Sequence, residues 1–136
     1  MTFAEVHPLK ILMAEDNAVN QKVATAMLAK LGYDVVIAGD GSEAVEMVME
    51  LDLANAPFDV ILMDMQMPNL DGVGATERIR SIELSQQPRI VALTANALAE
   101  DQQRCMDAGM DDFVAKPVRM SELRDALARI GAANTA

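Results

Sequence analysis

The sequence predicts an α/β domain with a parallel β-sheet, and two features of the chain support this prediction. Five short, largely apolar segments recur along the 136 residues, bounded by Asp, Asn, Gly and Pro, as is typical of strands buried on both faces. Longer segments with helical spacing of apolar residues separate them. Because connections of this length are not hairpins, we expect parallel strands with right-handed crossovers in a three-layer domain.

The predicted strands are continuous apolar runs rather than strict alternations of apolar and polar residues. They are Leu9–Ala14, Asp34–Ala38, Phe58–Met63, Arg89–Thr94 and Asp112–Ala115. Asp40 followed by Glu43 has the spacing of a capping box and predicts a helix start. Gly32 and Gly131 each follow an amphipathic stretch, and a glycine there predicts the end of a helix.

The least regular helical segments are residues 71–83 and 98–108. Gly72 and Gly74 fall in the first of these, and glycine inside a helix costs about 1 kcal/mol relative to alanine. This composition favours a helix start after Gly74.

The composition excludes several functional classes. The net charge of −10 opposes nonspecific binding to nucleic acid, which needs a surplus of Lys and Arg. No apolar run reaches the ~20 residues of a membrane-spanning helix, and the first residues lack the pattern of a signal peptide. We therefore expect a cytoplasmic domain without membrane contact of its own, free or as the cytosolic part of a larger membrane protein. Residues 9–130 would form the domain, with 1–8 and 131–136 as tails.

Polar side chains follow four of the five predicted strands. Glu15 and Asp16 come after the first strand, Asp64 follows the third, Thr94 ends the fourth and Lys116 follows the fifth. Open parallel sheets bind their ligands at the carboxyl ends of the strands. The sequence therefore predicts that these side chains form one site.

This set of side chains suits a phosphoryl group held beside Mg²⁺. Clustered carboxylates raise one another's pKa values, and a divalent cation that prefers hard oxygen ligands removes the conflict. Lys116 would add a fixed positive charge, and Thr94 a hydroxyl for a phosphoryl oxygen. The chain has no GxxxxGK[ST] or GxGxxG loop, so we expect a covalently held phosphoryl group rather than a nucleotide.

Each of these residues alone also has a simpler structural explanation. Residues 15–17 could be a helix N-cap, Asp64 a turn residue and Lys116 a surface lysine, but their joint placement at successive strand ends favours a site. His7 precedes a proline in a predicted tail, which makes it a poor phosphohistidine or metal ligand. Cys105 has no histidine beside it and is expected to pack within a helix.

Met65 and Met67 flank the loop that follows Asp64. Their flexible thioether side chains have two interpretations, core packing or an adaptable surface for a partner.

Four segments carry a family resemblance. ILMAEDNAVNQKVA, DVILMDMQMPNLDG, IVALTANA and FVAKPV stand in the order and spacing of the receiver domain of two-component signalling, so the chain from about Leu9 to Ile130 resembles that family. The resemblance implies a flavodoxin-like (βα)5 three-layer sandwich with a five-stranded parallel sheet of order 2-1-3-4-5.

The resemblance also implies a role for each site residue. Asp64 matches the phosphoaccepting aspartate. Asp16 matches a direct Mg²⁺ ligand that acts together with Asp64 and the backbone carbonyl of Gln66. Glu15, at the place of a more frequent aspartate, would act on the metal through water.

The remaining roles concern phosphate binding and switching. Lys116 matches the phosphate-binding lysine, and its bond to Pro117 matches one that is cis in the family. Thr94 matches the switch hydroxyl. Phe113 matches the switch aromatic, here without the hydroxyl of the more frequent tyrosine.

The implied function is a phosphoacceptor in a phosphorelay. A phosphohistidine on a histidine kinase or histidine phosphotransfer protein would donate to Asp64 with Mg²⁺. The face of the fourth helix, fifth strand and fifth helix would then switch. Such a domain is not a conventional enzyme, since it catalyses only its own phosphorylation and dephosphorylation.

The context of the domain admits several alternatives. EDNAVNQ, LMDMQMP, LTANA and KPV resemble receivers of hybrid sensor histidine kinases, so we expect a domain excised from such a kinase, with a stand-alone single-domain regulator as the alternative. An aspartyl-nucleophile phosphatase is a third possibility, although Gln66 stands where such enzymes place a second aspartate. An unphosphorylated scaffold is the fourth.

Overall fold

The structure, a computed structural model, describes residues 2–95 and 99–135. Its strands are β1 (Ile11–Ala14), β2 (Val35–Ala38), β3 (Val60–Asp64), β4 (Arg89–Thr94) and β5 (Asp112–Ala115). Its helices are α1 (Phe3–Val6), α2 (Ala18–Leu31), α3 (Gly41–Leu53), α4 (Gly72–Ser81), α5 (Ala99–Ala108) and α6 (Met120–Thr135). Because α1 was not predicted, the fourth and fifth predicted helices are α5 and α6.

The strands form one parallel sheet with the order β2-β1-β3-β4-β5. Successive residues of a strand point to opposite faces, and both faces of this sheet are covered. Ile11 and Met13 of β1 pack with α2 and α6, whereas Leu12 and Ala14 pack with α3, α4 and α5. Burial on both sides explains the continuous apolar runs, and the predicted fold class and strand order are confirmed.

The predicted helix signals at α2 and α3 are confirmed. Asn17 caps α2 through its side-chain oxygen, which accepts from the N–H groups of Val19 and Asn20 at 2.9 and 3.0 Å. Gly32 ends the helix with a φ of 97°, a left-handed conformation that glycine adopts without strain. Asp40 caps α3 by accepting from the N–H of Glu43 at 2.9 Å.

The start of α4 differs from the prediction. The helix begins at Gly72, not after Gly74, because Asp71 caps it and its Oδ1 accepts from the N–H of Gly74 at 2.8 Å. Gly72 lies so close to the end of β3 that an added Cβ would collide with the carbonyl oxygen of Asp64. Close packing therefore explains Gly72, and the predicted start after Gly74 is wrong.

Both segments expected as tails carry secondary structure. Residues 1–8 contain α1, in which Phe3 packs against the core, and the Tyr33 hydroxyl donates to the carbonyl of His7 at 2.5 Å. At the other end α6 continues through Gly131, so the predicted helix end there is wrong. The His7 side chain occupies the space that a Cβ on Gly131 would need, which gives this glycine a packing role.

The membrane prediction concerned helix length and hydropathy. Within the described residues, no helix combines the length and apolar character needed to cross a membrane.

Candidate functional site

All of the predicted site residues except Phe113 meet at the carboxyl edge of the sheet. Parallel pairing of β1, β3 and β4 aligns their ends, with Ala14 beside Met63 and Asp64 beside Leu93. As a result, three carboxylate oxygens lie within 4.8 Å of one another, one from each of Glu15, Asp16 and Asp64. They line a cleft of about 780 Å³ together with Gln66, Thr94 and Lys116.

Lys116 reaches this group of carboxylates from the end of β5. Its Nζ lies 2.9 Å from Oδ2 of Asp64 and 3.3 Å from Oε2 of Glu15. Burial by itself would lower the pKa of Lys116, but the Asp64 and Glu15 carboxylates reverse this and hold its pKa above the ordinary value. The lysine is therefore a fixed positive charge inside the cleft.

Glu15 is the most deeply enclosed of the three acids, with 1% of its surface exposed. Its Oε1 accepts from the N–H of Asn17 at 3.2 Å and from Nδ2 of Asn20 at 3.1 Å, while Oε2 faces Lys116. Burial and the neighbouring Asp64 carboxyl raise the pKa of Glu15. Because both oxygens already have partners, the environment of Glu15 fits an indirect role at a metal better than direct coordination.

The donor set fits Mg²⁺. Asp16 is exposed at the mouth of the cleft and Asp64 lies behind it, so two hard carboxylate oxygens converge from different strands. Mg²⁺ is usually held by one or two carboxylates, with waters or phosphate oxygens at its other positions. The close approach of three acids also calls for a countercharge beyond Lys116.

The other predicted residues are placed as follows. Gln66 lines the cleft and its N–H donates to Oδ1 of Asp64 at 3.2 Å, while its side chain is exposed. Thr94 is buried at the end of β4, and its carbonyl accepts from the N–H of Lys116 at 2.7 Å. Phe113 does not join the cleft; it is half-buried on β5 and packs against the α3–α4–α5 side of the core. Asn96, which belongs to the LTANA segment of the family resemblance, lies outside the described residues.

Met65 and Cys105 lie behind the site. The Cys105 thiol is fully buried and its Sγ lies 3.6 Å from Sδ of Met65, in keeping with a packing role. Met65 and Met67 are both half-buried, line the cleft and contact the core, so both of their predicted roles remain compatible with the structure. His7 lies at the opposite edge of the sheet, beside Tyr33.

Sequence reasoning gave no role to four further polar residues at the cleft. Asn20 bonds Glu15, and Asp71, Asp101 and Arg104 line the cleft from α4 and α5. Asn20 could have been found from helical spacing, since it lies one turn after the cap at Asn17 on the same face. The two α5 residues have no such signal, because their place at the cleft depends on the contact of Cys105 with Met65, which is distant in sequence.

Comparisons with known proteins agree with this geometry. Residues 11–128 match the response regulator receiver domain family. Over 126 residues the chain is 45% identical to hybrid signal transduction histidine kinase H of Dictyostelium discoideum, covering 90% of this chain and 9% of that protein. The chain spans between 5% and 10% of the length of curated relatives of this kind.

Solved structures show the same fold. The receiver domain of sensor histidine kinase PA1611 from Pseudomonas aeruginosa PAO1, with a magnesium ion coordinated in its active site cleft, is 44% identical with a TM-score of 0.80 over 91% of this chain and 98% of that one. A chain in the co-crystal structure of the Saccharomyces cerevisiae phosphotransfer protein Ypd1 with the receiver domain of Ssk1 is 27% identical, with a TM-score of 0.82 over 94% and 92%.

The parallel sheet and the acidic cleft with its lysine agree with the receiver domains of phosphorelay signalling that the comparisons identify. The chain belongs to the response regulator receiver domain family of two-component systems.

Proposed function

We propose that Asp64 accepts a phosphoryl group from a phosphohistidine, with Mg²⁺ held by Asp16, Asp64 and the backbone carbonyl of Gln66. The observation that carries this proposal is the meeting of Glu15, Asp16 and Asp64 within 4.8 Å, beside the Lys116 ammonium. The magnesium site of the Pseudomonas aeruginosa receiver supports the choice of metal. The complex of Ypd1 with a receiver supports a histidine phosphotransfer protein or histidine kinase as the donor.

The chemistry of the step is a displacement at phosphorus. An oxygen of the Asp64 carboxylate forms the new P–O bond, and the P–N bond breaks with its electron pair left on the imidazole nitrogen. The other ring nitrogen keeps its proton, so the imidazole leaves neutral. Bound Mg²⁺ supplies positive charge that offsets the negative charge on the phosphoryl oxygens. Lys116 holds a second positive charge 2.9 Å from the accepting carboxylate.

The phosphorylated state differs from this one in charge. An acyl phosphate carries about −1.5 to −2 charges, by analogy with other phosphorylated side chains, in place of the single negative charge of the free carboxylate. Thr94, which lines the same cleft, would donate its hydroxyl to a phosphoryl oxygen, and Phe113 would turn inward. These changes shift the population of the face formed by α5, β5 and α6, through which a receiver signals.

The context we propose is a cytosolic receiver domain of a hybrid sensor histidine kinase. The 45% identity to such a kinase over 126 residues supports it. The parent reading frame distinguishes this origin from a stand-alone regulator.

The function is tested by labelling with acetyl phosphate and Mg²⁺, followed by intact-mass analysis. We expect the wild type to gain the mass of one phosphoryl group and Asp64→Ala to gain none while remaining folded. Asp34→Asn, which removes an exposed charge away from the cleft, is the control and keeps full labelling. Labelling of Asp64→Ala at the wild-type rate would disprove the assignment.

A further inference from the structure

The cleft around Asp64 is lined by more negative than positive side chains. Its carboxylates are Glu15, Asp16, Asp64, Asp71 and Asp101, and its cations are Lys116 and Arg104. A phosphodonor brings additional negative charge to this cleft. Because charges in a cleft act on an approaching ion more strongly than charges on an open surface, any cation at the rim affects the association rate.

The two cations differ in whether their charged groups already have partners. The Lys116 ammonium is shared between Asp64 and Glu15 at 2.9 and 3.3 Å. The Arg104 side chain is exposed, and in the part of the chain that the structure describes its guanidinium has no ion-pair or hydrogen-bond partner. Arg104 can therefore bind an incoming anion without first leaving a carboxylate.

The position of Arg104 follows from how α5 is attached to the site. Its neighbour Cys105 points inward, and the thiol contacts Met65, the residue directly after Asp64. Asp101 lies three residues before Arg104, a spacing that places both on one side of the helix. The buried Cys105–Met65 contact thus holds this side of α5 along the cleft.

We propose that Arg104 is a positioning residue for the phosphodonor. From the α5 side its positive charge attracts the phosphoryl group and orients it toward Asp64, and it counteracts the negative charge of Asp101. This inference rests on the proposed phosphorylation of Asp64. The guanidinium offers paired N–H donors in a plane, an arrangement that matches two phosphoryl oxygens. Lys116 and Arg104 then approach the donor from two different elements, β5 and α5.

The test is the initial rate of Asp64 labelling by acetyl phosphate at low concentration and saturating Mg²⁺. Arg104→Ala is expected to slow labelling about three- to fivefold, the effect of one partly exposed ion pair. Arg104→Lys should restore much of the rate. Asp101→Asn should raise it, since it removes the opposing charge. Arg78→Ala, an exposed α4 arginine that does not line the cleft, is the matched control and should label like the wild type.

Salt provides a second readout that a merely structural role would not affect. At about 1 M salt, where the screening length is about 3 Å, the difference between Arg104→Ala and the wild type should largely disappear. If wild-type Asp64 is not labelled, the proposed function itself fails. If the wild type is labelled but Arg104→Ala and Arg78→Ala do not differ at low salt, or if Asp101→Asn is also slow, the role of Arg104 is overturned.

Discussion

The two edges of the sheet use the same residue types in opposite ways. At the amino edge, Arg80 lines a cavity of about 500 Å³ and donates to the carbonyls of Gly109 and Pro88 and to the side chains of Gln87 and Asp111, at 2.7–2.9 Å. The charges that line this cavity are matched, two arginines against two aspartates, and Arg80 makes four hydrogen bonds. At the carboxyl edge, three carboxylates lie close together, and two of them share the one ammonium of Lys116.

This difference separates a structural charge cluster from a functional one. A matched network fixes loops and leaves no charge for a ligand, whereas an excess of one sign requires a further ion or group. Cavity size does not separate them, because both edges hold a polar cavity of several hundred Å³. The balance of charge is the feature that distinguishes the candidate site.

The comparison is tested most strongly by removing the centre of the amino-edge network. Arg80→Ala should lower the free energy of unfolding by about 2–3 kcal/mol, because several partly buried acceptors lose a charged donor. The rate of Asp64 labelling should stay near that of the wild type. Urea denaturation measures the first quantity and acetyl phosphate labelling the second.

Arg89→Ala is the matched control for that variant. Arg89 reaches Asp111 only at 3.6 Å and its side chain is 48% exposed, so the loss should be below about 1 kcal/mol. Equal destabilisation by the two changes would contradict a network centred on Arg80.

At the carboxyl edge the corresponding change is Asp16→Asn. Removing one charged ligand should weaken Mg²⁺ binding about tenfold, or about 1.4 kcal/mol, with little change in stability. Titration calorimetry with MgCl₂ measures the affinity, and Asp34→Asn again serves as the exposed control. An unchanged affinity in Asp16→Asn would rule out Asp16 as a ligand.

The smallest expected effect near neutral pH concerns the ionisation of Tyr33, which lies at the amino edge. Burial raises the pKa of Tyr33 to about 12. Unfolded chains lose this proton near pH 10, so the stabilising contribution is complete below about pH 10 and is lost as pH rises toward about 12. Tyr33 is the only tyrosine and there is no tryptophan, so its ultraviolet absorbance can be followed directly. A midpoint near 10 in the folded protein would contradict its burial.

The strands and the site residues at their ends could be predicted because both depend on local sequence. Apolar runs define the strands, and in a parallel sheet each run must end at the same edge, which brought Glu15, Asp64 and Lys116 together in the prediction. The start of α4 could not be predicted in this way. Gly72 is helical because it lies against the carbonyl of Asp64, a contact between elements that helix propensity does not contain.

The ends of the domain and the α5 side of the cleft show the same limit. The sequence predicts that Gly131 ends a helix. In the structure the helix continues, and the missing side chain of Gly131 leaves space for the His7 side chain from the other end of the chain. In the sequence Arg104 has no feature that distinguishes it from other surface arginines, because its place at the cleft depends on the contact between Cys105 and Met65.

The glycine at the start of α4 also determines which side of the Asp64 loop can yield. Backbone lies directly against backbone at Gly72, and its N–H donates to the carbonyl of Met65 at 3.2 Å, so this side is stiff. On the other side the loop contacts α5 through the side chains of Met65 and Cys105, and such sulfur-containing side chains adapt readily to small shifts. A displacement of the backbone at Asp64 is therefore expected to move α5 and to leave α4 in place.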